Sequence, residues 1–248
     1  STWVLTDATI LAEQCFRYEY NARNLMIMKK VPGAAEVYMV SDDRNRLIMT
    51  QDGNLRAANK WMVTLYDDQN RPVQTGLLLN TWNGKTFVEH HNSAYGSHQY
   101  PFTPTTTPTQ TYWESLTQIG YDDYSSIPGG LTKTLDNTYT SGTYMLTTYN
   151  TSPYYAEQPL AFEMVKNFTT WTSVKILGTS TYLNTVYIYD AKGRVIQTKS
   201  TNITGGTDIF TTQYNWAGQP LVTVLKQEKA GAPNPQTHII VTKTEYDD

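Results

Sequence analysis

Val186-Tyr187-Ile188-Tyr189-Asp190-Ala191-Lys192-Gly193-Arg194-Val195-Ile196-Gln197-Thr198 is a β-branched and aromatic run broken once, at Asp190 to Gly193. The flanks read as strands and the break as a hairpin tip. Asp at the first position of a type I turn can accept from a backbone N–H two residues on. The residue after the central pair must enter the left-handed region to form a bulge, which Gly does freely and Asn at some cost. Asx-x-x-Gly/Asn between β-rich segments therefore folds the chain back into two antiparallel strands.

The same six-residue pattern occurs five times. Tyr189-Asp190-Ala191-Lys192-Gly193-Arg194 is the clearest copy; the others are Tyr214-Asn215-Trp216-Ala217-Gly218-Gln219, Tyr66-Asp67-Asp68-Gln69-Asn70-Arg71, Ser41-Asp42-Asp43-Arg44-Asn45-Arg46 and Tyr20-Asn21-Ala22-Arg23-Asn24-Leu25. The second position is always Asp or Asn and the fifth always Gly or Asn, so unrelated surface turns are a poor account of the series. Asn24 and Asn45 for Gly, and Ser41 for Tyr, are departures from the pattern. The sixth-position arginines Arg46, Arg71 and Arg194 are expected to lay their stems over a neighbouring Tyr and to pair with the turn carboxylate; phosphate or carboxylate ligation is the alternative.

The motifs begin at 20, 41 and 66 and again at 189 and 214, intervals of 21 and 25, then 25, which suits two strands and two turns. Second turns are expected at Val31-Pro32-Gly33-Ala34, Thr204-Gly205-Gly206-Thr207 and Gly231-Ala232-Pro233-Asn234-Pro235. The predicted fold is all-β, an antiparallel meander of hairpins in an extended, twisted or curled sheet. N-terminal hairpins are expected over 1–80, an irregular insertion over 81–173 and C-terminal hairpins over 174–248, all as one continuous unit. In the insertion, the proline-spaced 100–108 reads as a linker or an edge. Strands are expected at Gln110-Thr111-Tyr112-Trp113 and at 143–149, one short helix at 160–166, and the whole as part of the same sheet system.

Composition agrees with a β protein. Of 248 residues, 39% are hydrophobic and 17% charged, with 19 Tyr and 6 Trp, so much of the remainder is Thr, Asn, Ser and Gln. A net charge of -3 offers no basic face for nucleic acid. No apolar run suits membrane insertion. Cys15 cannot form an internal disulfide and is expected to be a buried apolar thiol. No secretion signal is visible. The Ser1 start, and an end at Thr244-Glu245-Tyr246-Asp247-Asp248 where a repeat would turn, lead to the expectation of a piece excised from a longer polypeptide.

The Tyr-Asp-x-x-Gly-Arg series resembles the YD repeats of RHS-type proteins. Lys30-Val31-Pro32-Gly33, the stretch 47–52, Tyr66-Asp67 with Asn70-Arg71-Pro72, Tyr121-Asp122-Asp123-Tyr124 and Gly206-Thr207-Asp208 look like segments that precede the conserved core in long RHS-repeat proteins of Bacteroidetes-like bacteria. The resemblance covers both flanks and, in patches, the middle. It implies hairpins joined edge to edge in a curling sheet that, in complete members, wraps into a hollow shell around a C-terminal toxin or effector. It also implies secretion or cell-surface display, in contact-dependent competition or wall association. No Asp-Pro-x-Gly series like that of the family's self-cleaving core is present, and no variable effector end, so the expected role is scaffold without cargo.

Other chemistry was weighed beside this one. Glu89-His90-His91 with His98 could ligate zinc in a metal-dependent hydrolase, but on a strand His90 and His91 would point to opposite faces, and solvated loop histidines are the plainer account. Asp122-Asp123 or Asp67-Asp68 could serve as acid–base pairs or calcium ligands, although turn capping explains Asp67. No phosphate loop or nucleophile elbow occurs. The sequons at Asn150, Asn167 and Asn202 are expected by chance. The serious rival is a carbohydrate-binding module using exposed Trp61, Trp82, Trp113, Trp171 and Trp216. The expectation is therefore a non-catalytic structural segment with no cofactor. Its partners would be flanking repeats of the same polypeptide, an effector cargo or cell-wall glycan, and an edge-mediated dimer in isolation.

Overall fold

The computed structural model describes residues 8–231 and 233–247. Ser1, Ala232 and Asp248, on which the expected start, the last turn and the expected end fall, lie outside the described residues. Among those described, thirteen strands follow one another in chain order in an antiparallel meander. They are β1 (Arg17–Tyr20), β2 (Met26–Lys30), β3 (Val37–Ser41), β4 (Leu47–Gln51), β5 (Lys60–Tyr66), β6 (Pro72–Leu79), β7 (Trp113–Tyr121), β8 (Thr169–Lys175), β9 (Tyr182–Tyr189), β10 (Val195–Thr201), β11 (Thr207–Tyr214), β12 (Pro220–Lys229) and β13 (Gln236–Lys243). Three short helices, α1 (Ala8–Glu13), α2 (Gly53–Ala57) and α3 (Phe87–Tyr95), accompany them. The all-β meander of hairpins is thus what forms. Two compact units, Ser1–Thr117 and Gln118–Asp248, divide within β7.

In the first unit, period-2 alternation sends Trp61, Val63 and Leu65 of β5 inward, at 2%, 0% and 3% exposure. They join Val40, Ile48, Met49 and Leu78 in a core closed from above by residues 80–112, which contribute Ala94 and Phe102. Here the histidine expectation needs correcting. His90 and His91 lie on a helix, because Thr86 and Glu89 form a capping box: Glu89 Oε2 accepts from Thr86 N at 2.8 Å and Thr86 Oγ1 from Glu89 N at 3.4 Å. His90 and Ala94, one helical turn apart, both point into the core. The 100–108 stretch is neither free linker nor edge strand; Phe102 packs edge-on between Trp82 at 5.5 Å and Trp113 at 5.2 Å. Gly76 makes room for that Trp113 indole, which a Cβ would meet at 2.5 Å.

In the second unit residues 122–168 leave the sheet after β7 and cover one face of it. Tyr124, Ile127, Leu131 and Leu135 pack on Val186, Ile188 and Ile196. Met145 and Ala156, with Tyr139, Tyr144 and Leu146, pack on Leu221, Val222 and Val224. Two expected elements are absent. Residues 143–149 form turns and coil up to one bridge, Tyr149 to Ala156. Residues 160–166 form no helix: Leu160, Phe162 and Met164 stand at 59%, 40% and 73% exposure and only Val165 is buried, so no apolar stripe stabilises a helix there. Gln110, Thr111 and Tyr112 are turn, and the strand begins at Trp113. The middle of the chain is therefore mostly irregular cover on the sheets, and not more sheet.

Irregular cover brings unpaired backbone groups, and the sheet answers with polar side chains. Gln197, fully buried, accepts from Asp136 N at 2.8 Å and donates to Asp136 O at 3.2 Å. Gln213 treats Leu146 the same way, at 2.9 and 2.8 Å. Lys199 Nζ donates to Thr134 O at 2.5 Å, and burial holds its pKa below the ordinary lysine value. This is where the low apolar share of the composition goes. Cys15 is half-buried and not a core thiol, and the helix α1 before it buries none of its residues.

Candidate functional site

The five motif copies sit at the tips between β1 and β2, β3 and β4, β5 and β6, β9 and β10, and β11 and β12. One hydrogen-bond plan builds them all. At Asp190 the main-chain N donates to Arg194 O at 3.0 Å, and Gly193 N donates back to Asp190 O at 3.1 Å. Oδ1 accepts from Lys192 N and Arg194 N, both at 2.9 Å, and Oδ2 from Arg194 Nε at 2.7 Å. Asp42 with Arg46 and Asp67 with Arg71 repeat this, each with Arg Nε to Oδ2 at 2.7 Å. The fifth-position residues Asn24, Asn45, Asn70, Gly193 and Gly218 have φ of 58, 62, 64, 77 and 89°, and each tip carries a register shift where the bulge falls.

The sixth position follows the second. Where Asp becomes Asn215, Arg becomes Gln219, whose Oε1 accepts from Asn215 Nδ2 at 2.7 Å. Where it becomes Asn21, the partner position is Leu25, and Asn21 Nδ2 lies 3.2 Å from His91 Nε2. The expected stacking also forms, but between successive tips. Arg46 lies over Tyr66 and Arg194 over Tyr214, each at 4.7 Å. Those tyrosines reach back: Tyr66 OH donates to Leu47 O and Tyr214 OH to Val195 O, both at 3.0 Å, and Tyr246 OH does the same to Pro220 O at 3.0 Å. The tips at 41–46 and 66–71, and those at 189–194 and 214–219, are locked together in this way. Burial pushes the Tyr66 phenol pKa up, against the nearby Arg46 charge.

Two further tips follow the same plan. The turn expected at Thr204-Gly205-Gly206-Thr207 forms between β10 and β11, opposite the others, and starts at Asn202, whose Oδ1 accepts from Thr204 N at 3.0 Å and Gly206 N at 3.2 Å, with Gly205 at φ 82°. The other is interrupted. Asp122 N donates to Phe168 O at 3.1 Å, Asn167 N to Asp122 Oδ1 at 2.6 Å, and Asn167 has φ 68°. Phe168 then stacks on Tyr189 at 4.9 Å, where an arginine lies elsewhere, and Tyr189 OH donates to Thr169 O at 2.6 Å. A Tyr-Asp tip has thus been opened to let residues 123–166 out and back.

Among the described residues the histidines and the Asp122-Asp123 pair do not assemble into a metal site. His90 is fully buried rather than solvated, its Nδ1 2.6 Å from Tyr100 OH, and burial pulls its pKa down to about 4. His91 faces Asn21 and His98 faces Asp43 at 3.2 Å. Among the described residues no three His, Cys, Asp or Glu side chains converge as a metal site. Asp123 caps Ser125, whose N and Oγ hold its carboxyl pKa below the ordinary value. Of the five tryptophans in the rival sugar-binding reading, Trp61 and Trp113 are buried at 2% and 5%, Trp82 and Trp171 pack against cores, and only Trp216, at 71%, is exposed. Four of these rings were needed as cover for thin sheets. No helix among the described residues is long and apolar enough to cross a membrane.

No family model matches the chain, and no curated protein sequence matches it. Among solved structures it is similar to a chain of the crystal structure of TcdB2-TccC3-TEV, at 10% identity and a TM-score of 0.36 over 93% of this chain and 9% of that one. A chain of the crystal structure of TcdB2-TccC3 aligns at 11% identity and a TM-score of 0.32, over 93% of this chain and 10% of that one. The chain spans about a tenth of the length of both.

Proposed function

We propose that the chain is a non-catalytic structural segment of a larger YD-repeat polypeptide of RHS type, secreted or displayed at a cell surface, whose sheet helps to enclose or present an effector. The observation that carries this reading is the interlock of successive tips, with Arg46 seated on the Tyr66 ring and Arg194 on the Tyr214 ring. The titratable groups of the motifs are engaged in holding backbone. Glu157, outside the motifs, pairs with two motif cations: burial would raise its carboxyl pKa, but Lys192 at 2.7 Å and Arg194 at 2.6 Å hold it below the ordinary value.

The partners in this reading are strands. β13 pairs with β12 along its whole length, yet all eight of its residues are exposed, Ile239, Ile240 and Val241 at 43%, 50% and 39%. Such an edge favours pairing with the flanking repeats, or with another copy when they are missing. The test uses the parent polypeptide carrying Arg46→Ala and Arg194→Ala. Its effector region should become more sensitive to added protease while the effector's own activity per molecule stays unchanged. Unaltered protection after deletion of 8–247, or an enzymatic activity of the isolated chain, overturns the proposal.

A further inference from the structure

One tip differs from the rest in what it shows to solvent. Its third position, occupied by Ala22, Asp43, Asp68 and Ala191 elsewhere, is Trp216, 71% exposed. Beside it residues 149–157 fold into a wall, and the two enclose a cleft of about 700 Å³ lined by Asn150, Tyr155, Glu157, Asn215, Trp216 and Ala217. All of these residues belong to the second unit.

The cleft is held open by main chain rather than by side-chain chance. Trp216 N donates to Tyr155 O at 3.0 Å, and Tyr155 N donates to Thr151 O at 2.8 Å. Tyr155 is kept at φ 46° and Asn150 at φ 55°. A bulky residue in the left-handed region is costly, and such strain persists only where surrounding bonds over-determine it. The result is a fixed pair of exposed rings, Tyr155 at 51% and Trp216 at 71%. Asn215 is engaged with Gln219, and Glu157 with Lys192 and Arg194. Among the described residues, no side-chain hydrogen bond occupies the Asn150 amide, the Tyr155 hydroxyl or the Trp216 indole N–H.

We propose that this cleft binds a neutral saccharide, its ring stacked on the exposed face of Trp216 and its hydroxyls met by the Tyr155 hydroxyl and the Asn150 amide. Sugar rings carry an apolar C–H face and a polar rim, and an aromatic face beside spare donors and acceptors complements both. Neutrality follows from charge. Glu157, the one carboxylate in the lining, and Asp190 beside it balance Lys192 and Arg194, Arg194 bridging both carboxylates, and Lys192 Nζ, 5.5 Å from the Trp216 ring, is already bonded to Glu157. An anionic ligand finds no uncompensated cation there, and a cationic one no uncompensated acid. The site is independent of the structural role proposed above, since it stands on one tip and its neighbour, not on the interlock.

The test is a titration of the intact chain with cellohexaose, chitohexaose, xylohexaose and maltohexaose, followed by the indole ¹H–¹⁵N resonance of Trp216 and by tryptophan fluorescence. At least one probe should shift that resonance, with the five other indoles unmoved. Trp216→Ala, which removes an exposed ring and leaves the cores intact, should weaken binding by about tenfold or more; Asn150→Ala should weaken it less. Absence of a shift with every probe up to about 10 mM, or affinity unchanged in Trp216→Ala, overturns the proposal. So does a proline-rich or aromatic decapeptide that binds the cleft when no saccharide does.

Discussion

Asp67 accepts two main-chain N–H groups through Oδ1, at 2.9 Å each, and the Arg71 Nε through Oδ2 at 2.7 Å. Three donors converge on one carboxylate, so the residue that turns the chain also anchors the strand that leaves. The Asn215 tip solves the same geometry with an amide, and its partner changes from cation to acceptor accordingly. That pairing predicts a coupled response. Asp67→Asn should set an amide N–H against the Arg71 donor and cost about 1 kcal/mol, and Arg71→Gln alone a similar amount. The double substitution recreates the Asn215–Gln219 arrangement, so a urea-denaturation cycle should return a favourable coupling of about 0.5–1 kcal/mol. Strict additivity would show that the second and sixth positions do not act as a pair.

Elements differ in how far away their reasons lie. The hairpins were legible in the sequence because every bond that makes a tip spans no more than four residues, from Asp190 to Arg194 for instance. The excursions were not, since the groups that fix them are distant: Gln213 and Leu146 are 67 residues apart. Thr143 to Tyr149 has strand composition, but Gln213 takes the Leu146 backbone that a neighbouring strand would need. At α3 the signal is local, a Thr86-x-x-Glu89 capping box that opens a helix just before His90 and His91. Within the candidate site the tip residues could be read, whereas Trp216 and Tyr155 meet only through an excursion that folds back. Gln213→Leu keeps the volume and removes the amide, leaving Leu146 N–H and C=O unpaired under the cover. It should destabilise the second unit by about 2–3 kcal/mol and speed hydrogen exchange at Leu146 well beyond that at the tips. Unchanged exchange there would mean the cover is held by apolar contact alone.

For the molecule as a whole, the two units should respond differently to acid. His90 is buried against Trp61, with ring centroids 5.0 Å apart, and packs by Tyr100, whose phenol burial pushes up to about 12. The charged neighbours Lys85 and Glu89 pull in opposite directions on His90, and burial outweighs both. Its folded pKa of about 4 lies below the ordinary value of 6.5, so between them the unfolded chain binds more protons. Stability of the first unit should therefore fall as pH drops from about 6.5 to about 4, by on the order of 2 kcal/mol. The depressed carboxyls of the second unit, Glu157 and Glu228, act only at lower pH, where the loss of their ordinary 4.5 begins. Denaturation followed by unit-resolved hydrogen exchange at pH 7 and 5 should show loosening of 8–112 first, and His90→Phe should flatten that difference. The opened Tyr121-Asp122 tip has a consequence of its own. Forty-four residues, 123–166, leave and re-enter there with the strand order undisturbed, because closing a longer loop adds only a logarithmic entropy. A turn of this type is thus a gate: novel sequence can be spliced through it and the pleated wall behind keeps its count, which gives such a sheet a way to acquire new surfaces without being rebuilt.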